Sequence, residues 1–337
     1  MKQWLQQRWY ARGTSPPLVL RPLASLYGAI SRARRRRLIA AQASLPVPVI
    51  IIGNISIGGT GKTPFAIHLI GLLRDLGFKP GLISRGYGGR AAHYPLRVFP
   101  YTDPVLCGDE PLLIAQRTGV SVAVAPDRIA AARLLIGMDG VDVLVSDDGL
   151  QHYRLPRQRE FCIVDGARGL GNGALLPAGP LREAPSRLLE VDHVVVNGAG
   201  FDAAPNALRF DLRLGDAVSV ADPQRRRPLA TFAGSAVHAV AGIGHPQRFF
   251  TSLEAAGLQL RPHPFADHHH YCAADLSFDE VLPVLMTEKD AVKCRRFAGS
   301  DHWYVPVDAV MSSADEQRMR ESLLALKPAM TPETRSV

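Results

Sequence analysis

The run Ser56-Ile-Gly-Gly-Thr-Gly-Lys-Thr63 has the make-up of a loop that cradles phosphate. Its backbone N–H groups can surround phosphate oxygens, Lys62 can reach the β- and γ-phosphates, and the Thr63 hydroxyl can ligate Mg2+. The usual pattern has glycine where this chain has Ser56, but only the backbone of that residue is needed. Ser56, Ile57, Gly58, Gly59, Thr60, Gly61, Lys62 and Thr63 therefore read as one nucleotide-binding loop. A second acidic feature suits it. The hydrophobic run from Val141 ends in Asp147-Asp148, where one carboxylate can hold Mg2+ and the other can orient its shell. Asp-Asp-Gly is also ordinary turn chemistry.

Other segments offer groups for a second substrate. Ser84-Arg-Gly-Tyr-Gly-Gly89 places Arg85 and flexible backbone after a strand. Cys107-Gly-Asp109-Glu110-Pro111 places two carboxylates at a helix start. There Asp109 is either an N-cap or a base or metal-shell residue. Arg168 and Arg182 lie in a long Gly- and Pro-rich stretch, where they could clamp anions. Asp267-His268-His269-His270 invites a zinc reading. Three consecutive histidines cannot all face one metal, and no Cys or His stands at a familiar spacing. One histidine acting beside a carboxylate is the better reading. Thr287-Glu-Lys289-Asp290 reads either as a base-recognition motif or as a capped helix start.

Elements that must position these groups follow from the pattern. Val47–Ile52 is a β-branched run that feeds the loop, and Pro64–Leu76 is helical in period. Further strands are expected at Gly81–Ser84, Ser121–Ala125, Val141–Ser146, Phe161–Asp165 and Val191–Asn197, with helices near 110–118 and 127–137. Alternating strands and helices predict a doubly wound, mainly parallel P-loop NTPase-type sheet. The pattern loosens around 200–230. Strands at Val237–Gly242, Val281–Thr287 and His302–Val307 and a helix at Ala314–Leu326 then suggest a second, smaller α/β domain. The expected division is 1–45, 46–225 and 226–337.

Composition limits the alternatives. The chain has 337 residues, 47% hydrophobic and 21% charged, as ordinary globular proteins do. No run of apolar residues is long enough to span a bilayer, and four scattered cysteines form no CxxC pair. A reducing, cytoplasmic setting is expected. The net charge of +8 is unevenly placed: eleven Lys and Arg precede the first acid, Asp75, and the remainder carries 28 basic and 31 acidic residues. Trp4, Trp9, Tyr10 and the cluster Arg34–Arg37 make 1–45 a candidate for docking on an anionic membrane. Nucleic acid is not an expected partner, because the charge is confined to one end.

Taken in order, Asn54 with GGTGKTP, SRGYGG, GDEP, VAPDR (124–128), DDGLQH (147–152), DGARGLGNGALLPAGPLRE (165–183), AGIGHPQRFF (241–250), DHHHY and MTEKDAVK (286–293) resemble the tetraacyldisaccharide 4′-kinase family, the lipid A kinases of Gram-negative bacteria. The likeness runs from about 47 to 295. It implies ATP and Mg2+ as cofactors and transfer of the γ-phosphate to the 4′-hydroxyl of an acylated glucosamine disaccharide 1-phosphate. It implies a peripheral position on the cytoplasmic face of the inner membrane, and no protein partner is predicted. By the same resemblance Asp109 is the base paired with His268, and Asp147 and Asp148 serve metal and nucleotide. Glu183 is a further acid counted with the metal set. Lys289 and Asp290 fall to the nucleotide, and Arg85, Tyr87, Glu110, Arg168 and Asn172 to the substrate. The rival expectation is a P-loop regulatory or metal-insertion NTPase, to which Thr287–Asp290 gives some weight.

Overall fold

Val49-Ile-Ile-Ile-Gly53 is buried at every position, as a strand covered on both faces must be. In the computed structural model, which describes residues 8–11 and 15–327, this strand, β1, is the centre of a nine-stranded sheet. Its neighbours in the chain are β2 (Pro80–Ser84), β3 (Leu96–Val98), β4 (Ser121–Val124), β5 (Val143–Ser146), β6 (Arg159–Asp165), β7 (His193–Asn197) and β8 (Leu208–Leu214). A late strand, β15 (Val307–Met311), completes the order β15-β8-β7-β6-β1-β5-β2-β4-β3. Only the two edge strands, β3 and β15, run antiparallel to the rest. Strands β2 to β5 lie on one side of β1 and β6 to β8 on the other, so the order reverses at β1. Ligands bind at such a point in open α/β sheets.

The period of two along β1 separates two cores. Ile50 and Ile52 join one with Phe65, Leu69 and Ile70 of α2 (Lys62–Asp75), while Val49 and Ile51 join the other with Ile129, Ala132 and Leu135 of α5 (Arg128–Asp139). Between these helices come α3 (Pro104–Cys107) and α4 (Asp109–Thr118).

The second sheet holds β9 (Ala217–Ser219), β10 (Arg226–Arg227), β11 (Ala236–Ala241), β12 (Gln259–Pro264), β13 (Val284–Thr287) and β14 (His302–Val305), ordered β10-β9-β14-β13-β11-β12. Its helices are α6 (Pro246–Ala255) and α7 (Glu288–Cys294), and Trp303, Phe249, Phe250 and Leu253 fill the core beneath α6. The architecture is the expected one, with a different partition. The boundary placed at 225 falls near Gly215, because β9 already pairs with β14. The chain then returns: β15 pairs with β8, and α8 (Ser313–Leu324) sends Met319 and Leu323 into the main core. The small domain is thus inserted between β8 and β15. Two adjacent crossings, at 214–217 and 305–307, join it to the large one, and Gly215 N donates to Pro306 O at 2.9 Å.

The basic segment is less free than its charge suggests. Helix α1 (Arg21–Ile39) turns Ala24 and Gly28 inward, and a Cβ at Gly28 would lie 2.7 Å from Leu175. Arg35 pairs with Glu190 at 2.5 Å, and Arg34 lies over the Tyr153 ring. Trp9 is buried, and the Tyr10 hydroxyl donates to Ile57 O at 2.8 Å, so neither aromatic is free to sit among lipid headgroups. Trp4 lies outside the described residues. The opposite side of the segment is apolar and exposed at Val19, Leu23, Leu26 and Ile30, spaced four, three and four residues apart. Among the described residues no helix is long and apolar enough to cross a membrane.

Candidate active site

The loop after β1 reaches α2 through Gly61, whose φ of +90° puts it in the left-handed region. A Cβ there would lie 2.6 Å from the Asn197 amide nitrogen, so glycine is required on both counts. Three side chains from separate segments hold loop carbonyls. Asn197 Nδ2 donates to Thr60 O at 3.1 Å, the Arg168 guanidinium donates to Gly59 O, and Tyr10 donates to Ile57 O. With those carbonyls fixed, the amides between them are pre-oriented for an anion at the N-terminus of α2.

Lys62, the first residue of α2, reaches Asn54 Oδ1 at 3.3 Å and Asp148 Oδ1 at 3.4 Å. Asp147 and Asp148 follow β5, which lies next to β1, so the sheet brings them beside the loop. Burial raises the Asp147 carboxyl, to about 7, and Glu110 and Asp148 add to the rise. Burial would also raise Asp148, but Lys62, Arg182 and Arg128 outweigh it and hold that carboxyl at about 2. Asp147 Oδ1 is buried with no hydrogen-bond partner. A buried, orphaned carboxylate oxygen among acids fits a cation, and Thr63, Asp147 and Asp148 are the residues that would hold Mg2+. Among the described residues no three His, Cys, Asp or Glu side chains form a metal cage. Mg2+ needs none, because it is commonly held by one or two carboxylates together with substrate phosphate.

Across the cleft, His268 Nδ1 lies 3.1 Å from Asp109 Oδ2. Asp109 is 5% exposed and opens α4 in the large domain, while His268 belongs to the loop after β12 in the small one. Burial alone would raise the Asp109 carboxyl. The His268 hydrogen bond and the Lys289 and Lys293 charges outweigh it and lower it. The same hydrogen bond raises the His268 imidazole. Tyr87 packs on the imidazole with ring centroids 5.2 Å apart. His268 and Asp148 are two of the three non-glycine residues with positive φ among the described residues, at 60° and 45°. Such strain persists where surrounding structure holds it, typically at working sites.

Several expected residues have other partners. Asp290 is wholly buried and accepts from Gly242 N, the Thr287 hydroxyl and Lys293, so it cannot reach a base. Lys289 pairs with Glu110 at 2.9 Å and with Asp267 at 3.6 Å. The helix-start reading of Thr287–Asp290 holds, since Thr287 caps α7. Glu183, expected with the metal, accepts from Gln151 Nε2 at 2.7 Å and pairs with Arg187 at 3.4 Å. Asn172 closes its own loop by donating to Ala178 O. Arg168 braces the phosphate loop, Arg85 is exposed, and Glu110 is bound to Lys289. His269 pairs with Asp275 at 3.1 Å. Sequence reasoning passed over Arg128, Gln151 and Lys293. Arg128 is buried beside both aspartates, and its sequence signal is only Asp127, which caps α5 by accepting from Ile129 N.

One cleft therefore offers a triphosphate loop at one wall and a carboxylate–imidazole pair at the other, which makes this a P-loop phosphotransferase. The family model described as Tetraacyldisaccharide-1-P 4′-kinase matches residues 17–327. A tetraacyldisaccharide 4′-kinase of Alkalilimnicola ehrlichii is 50% identical over 91% of this chain and 92% of its own. One from Nitrosococcus oceani is 52% identical over 80% and 79%. A crystal structure of LpxK from Aquifex aeolicus in complex with ATP aligns at a TM-score of 0.75 and 26% identity, covering 91% of this chain and 98% of that one. The chain belongs to the tetraacyldisaccharide-1-P 4′-kinase family.

Proposed function

We propose that this chain transfers the γ-phosphate of ATP to the 4′-hydroxyl of a tetraacylated glucosamine disaccharide 1-phosphate, yielding lipid IVA. The observation that carries the reading is the 3.1 Å contact of His268 with Asp109 opposite the phosphate loop. A triphosphate on the loop amides would place its γ-phosphate near Lys62. Phosphoryl transfer passes through a loose transition state, so alignment and charge neutralisation do most of the work. Lys62 neutralises the transferring group, and Arg128 and Arg182 keep Asp148 ionised beside it. Thr63, Asp147 and Asp148 would hold Mg2+, which would supply neutralisation of the phosphate charge. Asp109, ionised and oriented by His268, accepts the proton of the sugar hydroxyl. Because the two partners sit on different domains, the pair forms when the cleft closes.

The acceptor is a lipid, and the enzyme meets it as a peripheral protein on the cytoplasmic face of the inner membrane. Support comes from the exposed stripe Val19, Leu23, Leu26 and Ile30 on the segment that carries Arg36 and Arg37. Apolar side chains enter the headgroup boundary while arginines meet anionic lipid. The experiment is direct: incubate the protein with Mg2+, ATP and the tetraacyldisaccharide 1-phosphate and weigh the lipid by mass spectrometry. The expected product carries one added phosphoryl group. ATP turnover indifferent to the acceptor would support an NTPase instead.

A further inference from the structure

The buried carboxylate of Asp165 at the end of β6 has no place in the chemistry above, yet it holds two guanidinium groups from different domains. Arg168, three residues on, donates its Nε to Asp165 Oδ2 at 3.0 Å. Arg248, on α6 of the small domain, lies 2.6 Å from Asp165 Oδ2 through Nη1 and donates Nη2 to Oδ1 at 2.8 Å. The Arg248 contact is thus bidentate, the geometry that gives the most direction and strength in such pairs. Asp165 is 2% exposed, so its charge depends on these partners.

The Arg168 guanidinium leads on to the nucleotide loop. Arg168 donates to Gly59 O, and a Cβ on Gly58 would come 3.1 Å from its Nη1. The small domain also lies against the loop by another route, since a Cβ built on Gly244 would stand 3.9 Å from Gly59 N. An unbroken path therefore runs from α6 through Arg248, Asp165 and Arg168 to the Gly59 carbonyl of the phosphate loop.

We propose that Arg248 is a positioning residue for phosphoryl transfer: by clasping Asp165 it fixes Arg168, and through it the phosphate loop, only when the small domain is closed. Nucleotide affinity and domain closure are then one equilibrium, and the loop is fully shaped for triphosphate when His268 also faces Asp109. The inference rests on the kinase reading, but its test needs no lipid. Binding of Mg2+–ATP is measured by equilibrium dialysis on the full chain for the parent, Arg248→Ala, Arg248→Lys, Asp165→Asn and the double variant R248A/D165N.

The expected result is a dissociation constant about tenfold higher or more in Arg248→Ala, the scale of losing a charged hydrogen bond. Arg248→Lys should recover part of the loss, because it restores the charge but not the fork. The double variant should bind no more weakly than the worse single one, as expected of residues acting as a unit. A merely structural role would lower Tm and leave the dissociation constant of folded protein at the parental value, and that result would overturn the proposal. Multiplying effects in the double variant would overturn it too. A parent that failed to bind ATP would instead remove the kinase reading, and the proposal with it.

Discussion

The Asp109 carboxylate and the His268 imidazole meet at 3.1 Å although 159 positions separate them in the chain. A strained backbone at His268, with φ of 60°, and the flanking charges of Lys289 and Lys293 hold that contact in place. Asp109→Ala and His268→Ala are each expected to lower kcat by at least about 10²-fold, the usual scale for losing a general base. The double variant should be little worse than either alone. His269→Ala should be mild, because His269 is bonded to Asp275. Steady-state kinetics on the four proteins checks this, and multiplying losses would dissolve the pair.

The shifts of the pair also set a pH signature. His268 is raised, so its contribution to stability is full below the unfolded value of about 6.5 and is lost as pH rises through the higher folded value. Asp109 is lowered, so its contribution is full above about 3.9 and is lost as pH falls through the folded value. Both are present together between about pH 4 and 6.5. Denaturant midpoints of the parent and His268→Ala should differ most in that window and converge above it. In imidazole NMR titrations, Asp109→Asn should bring the His268 value down; an unchanged value would show that Asp109 is not its partner.

Lys62→Ala is expected to cost transfer about 10²-fold or more, the scale of one preorganised electrostatic contact. The fold should survive, because Asp148 keeps Arg182 at 3.3 Å and Arg128 nearby. Calorimetry alongside kinetics separates the outcomes. A variant that loses its melting transition along with its activity would mean that Lys62 holds the fold.

For the membrane, the triple change L23S/L26S/I30S should weaken binding to anionic vesicles by at least about tenfold, since each buried side chain of this size is worth roughly 1.5 kcal/mol or more. KM for vesicle-borne acceptor should rise while KM for ATP stays put. Exposed as they are, these three residues should leave Tm nearly unchanged. Gly28→Leu on the opposite face should do the reverse and lower Tm, because even a Cβ there meets Leu175 at 2.7 Å. Equal vesicle binding by the triple variant and the parent would remove the apolar stripe from the docking surface.

What could be read in the sequence was local. The strand–loop–helix around Lys62 and the acids ending β5 occupy short contiguous runs, so type and spacing sufficed. Asp109 with His268 was legible only by resemblance, because no local rule joins positions so far apart. Arg248 with Asp165 was not legible at all: both lie in recognisable motifs, but the pairing exists only once two domains meet. Strands β8 and β15, at one end of the main sheet, were hidden for a different reason. Leu208–Leu214 alternates apolar and polar residues but sits among Ala/Pro- and Arg/Pro-rich stretches, and β15 follows β14 across Pro306 as though one strand continued. In the basic segment, charge and aromatics could be counted in the sequence but their faces could not. Trp9 is buried and Arg35 pairs with Glu190, while the apolar side chains Leu23, Leu26 and Ile30 are the exposed ones.

The double crossing at 214–217 and 305–307 behaves as a ribbon. Two chains side by side, tied where Gly215 N meets Pro306 O, bend easily about one axis and resist twisting about the others. In the proposed closure the small domain would turn about that one axis, like a door on a single pin. His268 and Arg248 sit on the same leaf, so the group that orients Asp109 and the group that clasps Asp165 would arrive together. In the proposed closure, an open leaf would deny both at once.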